Sequence, residues 1–292
     1  MANLKGTFKL QDEVTQPVNF FNAIASIYDR STGGSTREFA REILKLPQFD
    51  LPSDAVVLDN GCGTGAVIEE IIIHKRDAPI PQIVGVDPAN ALVDVAREKV
   101  AALPSAVAEK ITLDVMSGEK LGFDDNTFTH TFTHLALPFF SDPVAGAKEI
   151  YRTLKPGGVA AVTTWVEVGF LRNVIQPAQK AVRPDQTPFN LPVKPEWFEP
   201  GHLTQVIKDG GFEKVASVNI TAHHSLPTRE QLVDWYMTMS GESTKDWSEE
   251  EKAALEKEIE AHVNEAAIPM TMVAGGQGFG IPSIGIVVVA HK

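Results

Sequence analysis

A buried-strand pattern that ends in a carboxylate and runs straight into three glycines constrains this chain more than any other feature. Val56-Val57-Leu58-Asp59 is apolar up to its last residue, Gly61, Gly63 and Gly65 follow at alternate positions, and Ala66 to His74 continues as an apolar helix. A strand that turns into a helix through glycines leaves backbone N–H groups uncovered at the helix N-terminus, where a ligand can approach closely.

From residue 55 onward, short apolar runs alternate with longer amphipathic ones, the pattern that buries parallel strands beneath crossover helices, so the fold class is α/β. Strands are expected over 55–60, 82–87, 110–114, 127–134, 158–165, 212–222 and 284–290. Capping-box spacing marks helix starts at Ser35 with Glu38, Thr228 with Gln231 and Ser248 with Glu251. Asp142-Pro143 marks another, over about 143–154, which ends before a sharp turn at Lys155-Pro156-Gly157-Gly158. Three stretches stand outside the alternation: 1–49, 166–211 and 225–280. They read as lid or cap around a core of about 50–165, 212–224 and 281–292. The glycine-rich 275–280 lacks a following helix and reads as a turn or lid tip.

Gly61-x-Gly63-x-x-Ala66 also satisfies the dinucleotide fingerprint, so neighbouring residues must separate the readings. Asp59 puts an acid where dinucleotide folds keep an apolar residue, and a carboxylate there suits a ligand carrying an ammonium and a sulfonium. Asp87, followed by Pro88, ends Val84-Gly85-Val86 and can accept both hydroxyls of a ribose. Asp114 ends the next strand, where it can accept from an adenine amino group while Val115 and Met116 touch the ring. Any one of these aspartates could simply cap the turn after its strand. All three together describe an adenosine lying across adjacent strand ends.

These residues, with Lys155-Pro156-Gly157-Gly158, resemble the successive motifs of class I S-adenosylmethionine methyltransferases over roughly 55–165. Leu58 to Val67 and Thr163-Thr164-Trp165 are most similar to fungal secondary-metabolite methyltransferases of the gliotoxin bis-thiomethyltransferase kind. The resemblance implies a single Rossmann-like domain with a seven-stranded, mostly parallel sheet of order 3-2-1-4-5-7-6, the last strand antiparallel. It also implies S-adenosylmethionine as cofactor, S-adenosylhomocysteine as product, a small-molecule methyl acceptor and no metal. Tyr28, Asp59, Gly61, Cys62, Gly63, Gly65, Asp87, Pro88, Asp114, Val115, Met116, Thr133, His134 and Leu135 are then the expected cofactor contacts.

Methyl transfer from a sulfonium needs mainly alignment and exclusion of water, because the leaving group is already activated. A phenol or ammonium acceptor would gain from a base, a thiol hardly. His134, at the end of the fourth strand, is the candidate general base; packing against cofactor or lid is its ordinary alternative. His130 shares its strand face but lies roughly 13 Å away, too far for a shared metal ion. Adjacent His223 and His224 point to opposite faces and bring no ligand set. Phe20 and Phe21 could close over the site and Trp165 and Trp197 could wall an acceptor pocket, or all four could be ordinary core. Two other readings stay open: an NAD(P)-dependent oxidoreductase, which Asp59, Gly65, Asp114 and the lack of a Tyr-x-x-x-Lys pair disfavour, and a non-catalytic cofactor-binding regulator.

The net charge of -12 argues against nucleic acid or an anionic membrane as partner. With 43% hydrophobic and 22% charged residues, the 292-residue chain has the balance of a folded globular protein. Cys62 is the only cysteine, which excludes an internal disulfide and fits the cytosol. No apolar run approaches the ~18 residues of a membrane span, and the N-terminus lacks a signal-peptide pattern. The oligomeric state is not readable from the sequence.

Overall fold

The computed structural model describes residues 17–292; the first sixteen residues of the expected N-terminal lid lie outside them. Three helices come first: α1 (Pro17–Ile24), α2 (Tyr28–Ser31) and α3 (Ser35–Ile43). There follow β1 (Val56–Asn60), α4 (Ala66–His74), β2 (Gln82–Asp87), α5 (Asn90–Ala101), α6 (Ser105–Ala108), β3 (Ile111–Val115), β4 (Phe128–Thr133), α7 (Pro143–Thr153) and β5 (Leu154–Glu167). The chain continues through α8 (Gln176–Val182), α9 (Pro200–Asp209), β6 (Lys214–Leu226), α10 (Arg229–Ser240), α11 (Glu249–Ala266), β7 (Ile268–Thr271) and β8 (Gln277–His291).

The described residues group into two compact units. The larger comprises 17–166, 193–222 and 284–292, and its core follows from the alternation in β1. Val57 packs with Phe39, Ile43, Phe49, Ile71 and Phe132 on one face, while Leu58 packs with Val86, Ile150, Leu203, Ile207 and Phe212 on the other. A strand whose side chains are apolar on both faces needs a helical layer on each side. β1 pairs in parallel with β2 and β4, β2 with β3, and β4 with β5. The sheet order is β3-β2-β1-β4-β5-β8-β6, which is the expected order once β8 is recognised as the seventh expected strand. Because β1, β2, β3, β4 and β5 run parallel, the loops that follow β1, β2 and β4 leave the sheet at one edge.

The smaller unit comprises 167–192 and 223–283. Tyr236 and His224 are buried there, the tyrosine hydroxyl 3.0 Å from His224 Nδ1 and its ring stacked on Phe170. Arg183 forks onto Glu251 at 2.6 and 2.8 Å and lies over the Trp247 ring. His224 therefore belongs to a buried aromatic cluster.

Four local expectations are corrected. An eighth strand, β7, pairs antiparallel with the start of β8, so Gly278 and Gly280 lie in strand and only Gly275 and Gly276 make the positive-φ turn. Pro269 disguises β7, because proline removes a ladder donor and marks a strand only at an edge. β5 begins at Leu154 instead of 158: Leu154 still pairs with Phe128, and residues 155–158 form a bulge at Gly157, φ 81°, before Val159 pairs with His130. Ser35 does not cap α3; Gly34, with φ 76°, stands at that N-cap and the Ser35 hydroxyl donates to the Thr32 carbonyl. The caps at Asp142, Thr228 and Ser248 form as expected, the last as a full capping box.

Candidate active site

The glycine loop is stitched to the end of β2. Gly61 N–H and Cys62 N–H both donate to the Val86 carbonyl, at 2.7 and 2.9 Å. Gly61, Gly63 and Gly65 have φ of 86°, 51° and 90°, the left-handed region that a side chain disfavours. Space matters as much as torsion at Gly61, where a Cβ would lie 2.3 Å from that of Ala136. The loop is thus fixed from two sides, with its concave face open to two adjoining cavities.

Asp59, Gly61, Cys62, Gly63, Thr64 and His134 line the smaller cavity, together with Tyr28 and Thr36. Asp59 is 1% exposed and neither carboxylate oxygen has a hydrogen-bond partner among the described residues. Burial, reinforced by the neighbouring negative Asp87, pushes its pKa up to about 8. A buried carboxylate without a partner is costly unless a cation or donor reaches it. The residues present therefore fit a ligand whose cationic end enters this cavity.

The larger cavity runs from Gly61 and Gly63 past Asp87, Pro88 and Ala89, beneath Phe21, Tyr28, Phe139 and Phe140. Asp87 Oδ2 accepts from Gly63 N–H at 3.0 Å and Oδ1 from Ala89 N–H at 2.8 Å, so it also ties the glycine loop to the turn before α5. Its pKa is raised by burial, which these two bonds partly offset. Tyr28 borders both cavities, and burial and the nearby Asp87 and Asp29 carboxylates raise its phenol pKa.

His134 does not stand free as a base. The Thr36 carbonyl 3.0 Å from Nε2 can only accept, so Nε2 carries the proton. Nδ1 then accepts from the Thr163 hydroxyl at 3.0 Å, and that hydroxyl oxygen accepts from Leu135 N–H at 2.9 Å. Both ring nitrogens are used in tying α3 to the ends of β4 and β5. Burial depresses the imidazole pKa to about 4, against which the Thr36 bond is a smaller effect. The depressed pKa favours the neutral ring, and both nitrogens are engaged, whereas the expected general base needs a nitrogen facing an acceptor.

Of the other expected residues, Leu135 and Phe21 also line the larger cavity. Gly65 is instead the N-cap of α4, and Thr133 is fully buried with an unpartnered hydroxyl. Asp114 and Val115 are exposed at the end of β3, Asp114 accepting from Val115 N–H, while Met116 packs in the second core cluster. Trp197 is 4% exposed, edge-on to His202 and packed in the core. Trp165 packs on Phe39, which meets the His134 ring edge-on, and Phe20 packs on Phe21. Leu92, Ala136, Phe139 and Phe140 went unread. The apolar Leu135-Ala136-Leu137-Pro138-Phe139-Phe140 after β4 was their signal, since residues beyond strand ends face the ligand in open α/β sheets.

Residues 58–162 match the sequence profile of the family described as "Methyltransferase domain". A curated relative, "Methyltransferase tpcH" of Aspergillus fumigatus, is 22% identical over 71% of this chain and 75% of its own length. Among solved structures, "Crystal Structure of the [4+2]-Cyclase SpnF" superposes with a TM-score of 0.56 at 15% identity, covering 94% of both chains. A Haemonchus contortus "Phospholethanolamine N-methyltransferase 2", in complex with phosphomonomethylethanolamine and S-adenosylhomocysteine, gives 0.52 at 16% identity over 94% of this chain and 58% of that one. At such identities the two structures speak for the fold alone. Sheet order, glycine loop and matched domain together define a class I methyltransferase fold. Residues 58–162 carry an S-adenosylmethionine-dependent methyltransferase domain, and the chain is similar to fungal methyltransferases.

Proposed function

We propose that this chain, acting as a single methyltransferase domain, transfers a methyl group to a thiol, hydroxyl or amine of a small, largely apolar natural product in secondary metabolism. One observation supports it above the others: the buried Asp59 carboxylate without a partner, aimed into a cavity walled by the glycine loop. S-adenosylmethionine supplies the activated methyl group when bound. Asp59 receives the cationic amino-acid end, the glycine loop and Asp87 hold the sugar side, and Pro88, Leu92, Leu135 and Phe139 enclose the base. An NAD(P) ligand offers Asp59 no ammonium, and a carboxylate left desolvated and unmatched opposes it.

The tie that occupies both His134 nitrogens favours an acceptor that ionises by itself, a thiol first, over one that needs a proton removed by this residue. The Aspergillus fumigatus relative, a methyltransferase by name, supports methyl transfer without specifying an acceptor. The test is product mass spectrometry with S-adenosylmethionine and matched aryl thiol, phenol and aniline acceptors. A methylated product formed fastest on the thiol agrees with the reading. Transfer only to phenols or amines, with a rate that falls as His134 is replaced, contradicts the thiol preference and restores the base.

A further inference from the structure

Lys99, in the last turn of α5, touches three other elements with a single ammonium. Its Nζ lies 2.5 Å from Asp29 Oδ2 in α2, 3.1 Å from the Thr64 carbonyl in the glycine loop and 2.5 Å from Glu69 Oε1 in α4. The other oxygen of Asp29 accepts from the Thr64 hydroxyl at 2.5 Å. Asp29 therefore bridges the loop twice, once through Thr64 itself and once through Lys99. It directly follows Tyr28, the ring that borders both cavities.

Beyond α2 the chain passes through Gly33 and Gly34, with φ of 54° and 76°, before α3 begins. Two successive left-handed glycines make a joint whose torsions other residues resist. On its far side α3 is firmly seated: Phe39 and Ile43 are fully buried, and Arg37 and Arg41 both reach the buried Glu70. On the near side α1 and α2 are half-buried or exposed apart from Ile24, and the segment is held by a small apolar cluster of Ala25 with Ala89 and Leu92, by Asn22 accepting from Ala91 N–H, by Phe21 against Phe139, and by Asp29. A partly exposed segment with a small apolar anchor, a two-glycine joint and a firmly seated helix follow one another in sequence.

We propose that residues 17–32 form a flap over the cofactor cavities and that the Asp29–Lys99–Thr64 cluster is its ionic latch, making Asp29 and Lys99 positioning residues that set the cofactor release rate. This rests on the reading of these cavities as the S-adenosylmethionine site. The latch is well placed to open, because Asp29 and Lys99 are 49% and 32% exposed and their attraction is screened by salt. Opening would carry the Tyr28 ring off the glycine loop.

The test measures release of S-adenosylhomocysteine by stopped flow and, on the ligand-free protein, amide hydrogen exchange across 17–34 and 61–65. Wild type is compared with Asp29→Asn, Lys99→Met, the double variant, and Lys45→Met, whose ammonium pairs with Glu42 on its own side of the joint. Each latch variant is expected to speed both release and exchange by about 3- to 10-fold, with the double variant no faster than either single. Raising salt should bring wild type towards the variants and leave Lys45→Met indistinguishable from wild type. Unchanged release and exchange in Asp29→Asn and Lys99→Met, or strictly additive effects, overturn the latch. If wild type does not bind S-adenosylhomocysteine while exchange still responds, the latch stands as a flap contact and the cofactor reading fails instead.

Discussion

Asp59 and His134 are both buried and ionisable beside one cavity, and burial keeps each neutral by opposite routes. For Asp59 the folded pKa, about 8, lies above the ordinary value of 3.8, so the native state holds a proton that the unfolded chain has lost. Its contribution to stability is present below pH ~3.8 and is lost as the pH rises towards 8. Asp59→Asn removes that penalty and is expected to raise ligand-free stability by about 1–3 kcal/mol near pH 8, in urea unfolding, while weakening cofactor binding by at least about tenfold. A site residue whose removal stabilises the protein marks a position held for function.

His134 has the opposite sign. Its folded pKa of about 4 lies below 6.5, so stability is present above pH ~6.5 and is lost as the pH falls towards 4. Urea midpoints should fall over that window by the equivalent of about 2–3 kcal/mol, and His134→Gln should flatten this slope. An undiminished slope in the variant would assign the acid sensitivity elsewhere. The sequence placed His134 beside the site but could not show its partners: Thr36 lies 98 residues away and Thr163 lies 29 away. Residue type and strand position are local information, whereas the state of a lone pair is set by what folds against it.

Among elements, the glycine loop was legible because strand, torsion and helix requirements coincide within ten residues. Its tightness was not, since the opposing Ala136 follows β4. Gly61→Ala meets both a φ of 86° and a 2.3 Å approach, and is expected to cost about 2–4 kcal/mol in chemical denaturation together with cofactor affinity. A Gly61→Ala protein as stable as wild type would mean that the loop yields. Far from the site, Ser248→Ala breaks the capping box of α11 and should cost about 1 kcal/mol with cofactor affinity unchanged. The short cap helices were harder to read. α1 and α2 are only eight and four residues long, so periodicity says little about them, and Phe21 and Tyr28 could be suggested as cavity walls only from their aromatic character.

For the whole molecule, the α/β class and strand order were readable because parallel central strands are apolar on both faces and their order follows from the motif resemblance. The division of the lid was less visible. Residues 193–222 group with the sheet, while 167–192 and 223–283 group together, a partition made by contacts between segments more than 30 residues apart. No helix among the described residues is long and apolar enough to cross a membrane. Acceptor choice belongs to surfaces around the cofactor cavities, where one fold supports many chemistries.

The most direct test of the central claim is calorimetric titration of wild type and Asp59→Asn with S-adenosylhomocysteine, NAD(H) and NADP(H), from pH 6 to 8 in buffers of different ionisation enthalpy. Wild type should bind the homocysteine nucleoside alone, more tightly as the pH approaches 8, and release up to one proton as the cationic ligand ionises Asp59; the variant should show neither the affinity nor the proton release. Nicotinamide binding without homocysteine-nucleoside binding, or equal affinity in Asp59→Asn with no proton released, would contradict the account.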